Sequence, residues 1–228
     1  MHTHLDLMDV QTGIKRVDSV YSESIDGVSI RLLRFFQRED GDFVGKLQTF
    51  LLASAPHFFT ASYVWGDTRE SNTTIHLSTG PLPVLPSVVP FLRMVTEHKD
   101  FNDNHWWWID SLCINLTDGH EREEQVRIMA DIYRRSKRAI VWLGEEKEPG
   151  SDCTGAIEFL HMLATLQVAF SGDDIEMRKS LEDPEFVSNC LAVSNLLHRP
   201  WWTRVWTLQV SKLRSTSKLT YHLPPYPC

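Results

Sequence analysis

The chain has 228 residues, 42% hydrophobic and 23% charged, and its 30 Asp and Glu against 23 Lys and Arg leave a net charge of −7. That is the balance of a globular chain, with length for one domain and its decorations. The acidic excess, without a dense Lys/Arg cluster, argues against a nucleic-acid backbone or an anionic membrane surface as the main partner. No run of about 18 apolar residues and no charged start followed by an apolar core is present, so neither a membrane span nor a secretory signal is expected and the chain is read as cytoplasmic. Cys113, Cys153, Cys190 and Cys228 form no CxxC pair, which fits reduced thiols. His120-Glu121 begins like a zinc-protease helix, but the second His is missing because position 124 is Glu. Neither a metal nor a cofactor is expected.

Residues 1–28 are polar and read as an N-terminal extension on the surface. Ser29 to Phe36 alternates and then turns apolar, as an early strand does. Glu39-Asp40-Gly41-Asp42 reads as a turn before a second strand from about Lys46 to Leu52. Beyond Pro56, Phe58 to Trp65 is a more buried run, broken by Gly66-Asp67. Thr73–Leu77 and Pro81–Val84 flank Ser78-Thr79-Gly80, a hairpin pattern. Pro86 can open a helix, since Val88, Val89, Leu92 and Val95 recur at helical spacing until about Lys99.

Trp106 to Leu112 is an apolar run broken only by Asp110, and it reads as a strand covered on both faces. Asp118 stands three residues before Glu121, the spacing with which a cap and a reaching Glu satisfy the free amides of a new helix. The helix runs to about Ser136, with Arg127, Asp131, Arg134, Glu123 and Glu124 on one side and Val126, Ile128, Met129, Ile132 and Tyr133 on the arc that packs on the sheet. Ala139 to Leu143 then gives a second strand ending at Gly144, so the segment is a βαβ unit with parallel strands. Helices follow at Ala156–Phe170 and about Pro184–His198, before the aromatic WWTRVW from Trp201. Beyond Gln209 the Ser-, Lys-, Thr- and Pro-rich tail does not look like the continuation of a folded domain.

Parallel strands place their carboxyl ends on one edge, which would bring together Trp65-Gly66-Asp67, Asp110 to Asn115, and Gly144-Glu145. Asp110 within a Trp-rich strand needs a cation or several amide donors, and Arg122 and Arg204 are the candidate cations. It either anchors the loop or serves a ligand as a hydroxyl acceptor or base. Glu121, Arg122 and Gln125 fall on the helix's packing arc and need partners; they either tie down the loop or line a ligand site. Cys113 has no His at a spacing that identifies a base and is read as packing. GxSxG, GxxxxGK[ST] and GxGxxG are all absent.

The segments WIDSLCIN, ER..QV..M..IY and IVWLG, with SIRLLRF, ASYVWGD and RPWWTRVWTLQ in the same order, closely resemble the fungal heterokaryon incompatibility (HET) domain over residues 29–210. On these motifs fall Trp65, Gly66 and Asp67; Asp110, Cys113 and Asn115; Glu121, Arg122, Gln125 and Tyr133; Trp142 and Gly144; and Trp202, Arg204, Trp206 and Gln209. The family pattern has Gln where Leu116 stands and Glu where Val210 stands. The expected architecture is one α/β domain at 29–210, with a central, mostly parallel sheet flanked by helices, a helical C-terminal addition and a divergent tail at 211–228.

The resemblance implies a part in fungal non-self recognition and programmed cell death, as a signalling or effector module working with protein partners or by self-association. A distant likeness of such domains to Toll/interleukin-1 receptor folds, or to flavodoxin-like ones, implies an alternative: a hydrolase with NAD as substrate, using a carboxylate among Asp110, Glu121 and Glu145. A divergent, inactive copy is the third reading. A carboxylate lining an open cleft would favour the enzyme; a paired, closed one would favour the module.

Overall fold

The computed structural model describes residues 20–66, 72–101, 104–145, 153–166, 183–203 and 220–222. Strands β1 (Ser29–Gln37) and β2 (Phe43–Leu51) form a hairpin in register from Ser29 opposite Leu51 to Gln37 opposite Phe43. Arg38 N donates to Asp42 O at 2.8 Å across the turn. Next come β3 (Phe58–Ser62), the small hairpin β4 (Thr74–Leu77) and β5 (Gly80–Pro83), and helix α1 (Val89–Glu97). The central unit is β6 (Trp106–Trp108), a single helical turn α2 (Asp110–Cys113), α3 (Gly119–Arg135) and β7 (Arg138–Trp142). Helices α4 (Cys153–Leu166) and α5 (Pro184–Leu197) and strand β8 (Thr220–His222) complete the described elements.

All eight strands join one α/β sheet in the order β5-β4-β2-β1-β6-β3-β7-β8. The sheet is mixed. β6, β3, β7 and β8 run parallel to one another, as do β2 and β4, whereas β1–β2, β1–β6 and β4–β5 are antiparallel. Four of the seven neighbouring pairs among the described strands are parallel, so the expected mostly parallel sheet holds by a small margin, with antiparallel pairings at β1 and β5. The turn at residues 39–42 is too short for a parallel crossover and forces a hairpin.

Two adjacent tryptophans show how the layers form, because neighbouring strand residues point to opposite faces. Trp107 packs edge-on against Phe91 of α1 with ring centroids 5.5 Å apart, and Trp108 packs against Tyr133 of α3 at 5.8 Å. Helices therefore cover both faces, and both indoles are almost wholly buried. A smaller apolar cluster of Val141, Leu143, Ala156, Leu196 and Trp201 seats α4 and α5 beyond the carboxyl end of β7.

Two boundaries differ from the sequence reading. The strand expected through Leu112 stops at Trp108, since the amides of Leu112 and Cys113 turn back to Ile109 O at 2.9 and 2.8 Å. Asp110 therefore opens a helical turn instead of interrupting a strand. In the tail, Thr220–His222 lies parallel to β7. A free sheet edge recruits main-chain groups, which composition does not report.

Candidate functional site

The ends of β3 and β6 meet at Asp110, which is half-buried. Tyr63 Oη donates to Asp110 Oδ1 at 2.7 Å, Trp65 Nε1 donates to Oδ2 at 2.9 Å, and the amide of Ser111 donates to Oδ1 at 2.8 Å. Burial and the neighbouring carboxylate push the Tyr63 hydroxyl well above its ordinary pKa, so it stays protonated and donating. These three donors are uncharged. The expected cation Arg122 does not reach it: the Arg122 side chain makes no hydrogen bond or ion pair among the described residues, and its amide donates to Asp118 O at 3.0 Å within α3. Trp65 is fixed in turn by Ser87, whose Oγ donates to Trp65 O at 2.5 Å, just before Gly66.

Glu121 has the strongest cation. Asp118 caps α3 by accepting from the amides of His120 and Glu121 at 3.0 and 3.1 Å, which aims the Glu121 side chain back at the loop. Its carboxylate has no exposed surface and meets Arg31, itself 4% exposed, at Oε1–Nη1 2.5 Å and Oε2–Nη2 3.0 Å. The amides of Asn115 and Ile25 donate to the same two oxygens at 2.7 and 3.2 Å. Arg31 also donates to Cys113 O at 3.3 Å and to Glu23 O, and lies 5.0 Å over the Tyr21 ring. Gln125, one turn along, donates to Asp26 O and Ser29 O at 3.0 and 2.8 Å. The stretch expected as a surface extension is therefore tied down from Val20, with Val20 and Ile25 buried; residues 1–19 and Asp67, Arg204, Trp206 and Gln209 lie outside the described residues.

The third strand end is held from the C-terminal side. Arg199 Nη1 donates to the carbonyls of Leu143, Gly144 and Glu145 at 3.3, 3.4 and 2.8 Å, and Trp201 Nε1 donates to Ser62 Oγ at 3.0 Å. Gly144 turns the chain there at φ +93°, a conformation that favours glycine. Glu145 is exposed and lines a shallow cleft of about 320 Å³ with Arg93, Glu97, His98 and buried Trp142. The ends of β3 and β6 thus meet directly, while Gly144-Glu145 connects through Arg199.

Other motif residues are structural in their surroundings. Cys113 Sγ accepts from Ile109 N at 3.4 Å, and burial pushes its thiol up to about 12, far from thiolate formation at neutral pH. Asn115 Oδ1 accepts from Thr117 N and Oγ1 at 3.2 and 2.7 Å, closing the loop before the cap. Tyr133 Oη donates to Ala61 O at 3.0 Å, and Trp202 Nε1 to Leu196 O at 2.9 Å. Among the described residues no cluster of three His, Cys, Asp or Glu could hold a metal, and no helix is long and apolar enough to cross a membrane.

The sequence reading missed Arg31, Tyr63 and Arg199. Arg31 carried a signal, because it is in phase with Leu33 and Phe35 on one of the two buried faces of β1. Tyr63 and Arg199 carried only their places in ASYVWGD and RPWWTRVWTLQ, since their partners are carbonyls and carboxylates brought near by the fold.

Residues 58–209 match the family described as Heterokaryon incompatibility protein (HET), and that span is more than half of the chain. The chain belongs to this family. It is also 28% identical, over 187 residues, to heterokaryon incompatibility protein 6, OR allele, of Neurospora crassa. That match covers 69% of this chain and 28% of the relative, so the chain spans little more than a quarter of the relative's length. No solved structure matches the chain. The HET match takes in the Asp110 site, Glu121 and Arg199, but begins after Arg31 and the 20–28 segment.

Proposed function

We propose that the chain is the signalling or effector module of a heterokaryon incompatibility protein, acting in fungal non-self recognition and programmed cell death through protein partners. The observation that carries this reading is the closed Glu121 site. A carboxylate without exposed surface, ion-paired through both oxygens and hydrogen-bonded to two amides, has no lone pair directed at a substrate. A cytoplasmic site of action belongs to the proposal and is supported by the free thiols Cys113 and Cys190.

The finer fold assignment is also our inference. Taken alone, the parallel strands β3, β6, β7 and β8 lie in the order second, first, third, fourth. That order supports a flavodoxin-like core, whose ligand crevice opens between the first and third strands. In this chain β3 and β7 are bridged there by Trp201 on Ser62 and by Arg199 on the carbonyls after β7. A crevice occupied by the protein's own side chains favours a module that works by contact. The NAD-cleaving alternative retains one supporting observation, the exposed Glu145 on its cleft.

Inducible expression of residues 1–228 in a filamentous fungus, scoring death while cellular NAD is followed, tests both. Death with NAD intact is the expected result. NAD loss that precedes death and disappears in Glu145→Gln or Asp110→Asn, with folded protein recovered, would replace the module by the enzyme. Folded protein without death would reject both.

A further inference from the structure

We propose that residues 20–28 form a strap that can lift from α3, and that phosphorylation of Ser24 lifts it. The segment has no regular secondary structure, and Ser22, Glu23, Ser24 and Asp26 are exposed along it. Its hold on the domain is a row of polar contacts between the apolar anchors Val20, Tyr21 and Ile25, closed at its far end by Leu52 N donating to Val28 O at 2.8 Å. Tyr21 Oη donates to Leu112 O at 3.0 Å, Glu23 O accepts from Arg31, Ile25 N donates to Glu121, and Asp26 O accepts from Gln125. Gly27 lies so close to α3 that an added Cβ would stand 2.5 Å from Glu124 Oε2, so the strap rests directly on the helix.

The surface beneath is acidic. Around the strap's own Glu23 and Asp26, the start of α3 carries the carboxylates of Asp118, Glu121, Glu123 and Glu124 and the basic residues His120 and Arg122, with Arg31 committed to Glu121 and Arg127 to Glu124. At the exposed end of this contact, Ser24 Oγ donates to Asp118 Oδ2 at 3.0 Å. Asp118 is ionised at neutral pH, since the Glu121 amide and the Ser24 hydroxyl hold its carboxyl below the ordinary range. A kinase acting here joins Ser24 Oγ to the γ-phosphorus of ATP as the bond to the bridging oxygen breaks, ADP leaves, and the hydroxyl proton passes to solvent. The product replaces a donor with a group of charge about −2 against a carboxylate, where repulsion opposes docking. Lifting the strap bares the first turns of α3 and gives water access to the Arg31–Glu121 pair.

Amide hydrogen exchange on the 228-residue chain tests this without reference to cell death. In Ser24→Glu and in the phosphorylated protein, the Ile25 amide should exchange faster by about tenfold, the factor that about 1.4 kcal/mol produces. The Ser136 amide, bonded to Ile132 O at the far end of α3, should keep its rate and so reports that the domain stays folded. Ser24→Ala should match the unmodified chain, and Ser24→Glu combined with Asp118→Asn should return toward it, because Asn still caps a helix without the charge. An unchanged Ile25 rate in Ser24→Glu overturns the proposal. So does equal acceleration in Ser24→Ala, which would make the lost hydrogen bond the cause and not the charge.

Discussion

Asp110 and Glu121 flank the same short loop, yet the fold treats them in opposite ways. Glu121 is buried completely and neutralised by a full cation, with two amides completing its shell. Asp110 is half-buried at the strand edge, and its partners include a phenol, an indole and an amide. A carboxylate removed from water needs a counter-charge, whereas one that keeps partial hydration can also draw on water and on the aligned dipoles of uncharged donors. The first arrangement locks the N-terminal segment, β1 and α3 together; the second orders the edge formed by β3 and β6.

The sharpest way to break the contrast is to remove one member of the buried pair. Glu121→Ala should destabilise by about 3–5 kcal/mol in urea unfolding, because Arg31 is left charged and buried. Replacing both Arg31 and Glu121 by Met should recover most of that loss. If Glu121→Ala costs no more than a surface substitution, the lock is not an ion pair in solution.

At the other site, Tyr63→Phe should cost about 1.5–3 kcal/mol, the range for a hydrogen bond to a charged group. The same urea titration checks it, and a cost equal to that of Glu121→Ala would erase the distinction between the two sites.

Asp118→Ala should cost about 1 kcal/mol, as the loss of a helix N-cap does. The effect is pH-dependent in a defined sense. The folded-state pKa of Asp118 lies below its ordinary 3.8, so its contribution is present above that value and is lost as pH falls through the folded one. The difference between the variant and the parent chain should therefore shrink as pH falls below about 3.8 and vanish beneath the folded-state value.

The smallest effect concerns reactivity. At neutral pH iodoacetamide should label exposed Cys190 and spare Cys113 until the chain unfolds, as mass spectrometry can follow. Rapid labelling of Cys113 in folded protein would mean that the loop between Asp110 and Glu121 opens to solvent.

Legibility in the sequence tracked the range of the interactions. Helix α3 was legible to within a residue or so, because Asp118, the capping spacing and the 3.6-residue pattern act inside one segment. The turn at residues 39–42 and the hairpin at 78–80 were legible for the same reason, through their turn residues. The end of β6 was not, since an apolar run reads alike as a strand or a buried turn until its hydrogen bonds are known. The fate of Asp110 was legible in part: its need for donors followed from its apolar neighbours, but Tyr63 and Trp65 could be named only once β3 lay beside β6.

By itself, then, the sequence determined the local elements, the apolar faces that build an α/β core, and the six motifs that mark a HET family member, because each is written in residues close along the chain. Only the tertiary structure decided that antiparallel pairings join the parallel ones in the sheet, that Arg31 is the cation paired with Glu121, and that Arg199 closes the end of β7. Those outcomes depend on groups about 50 to 90 positions apart, whose pairing follows from how the strands are ordered and not from any spacing within a segment.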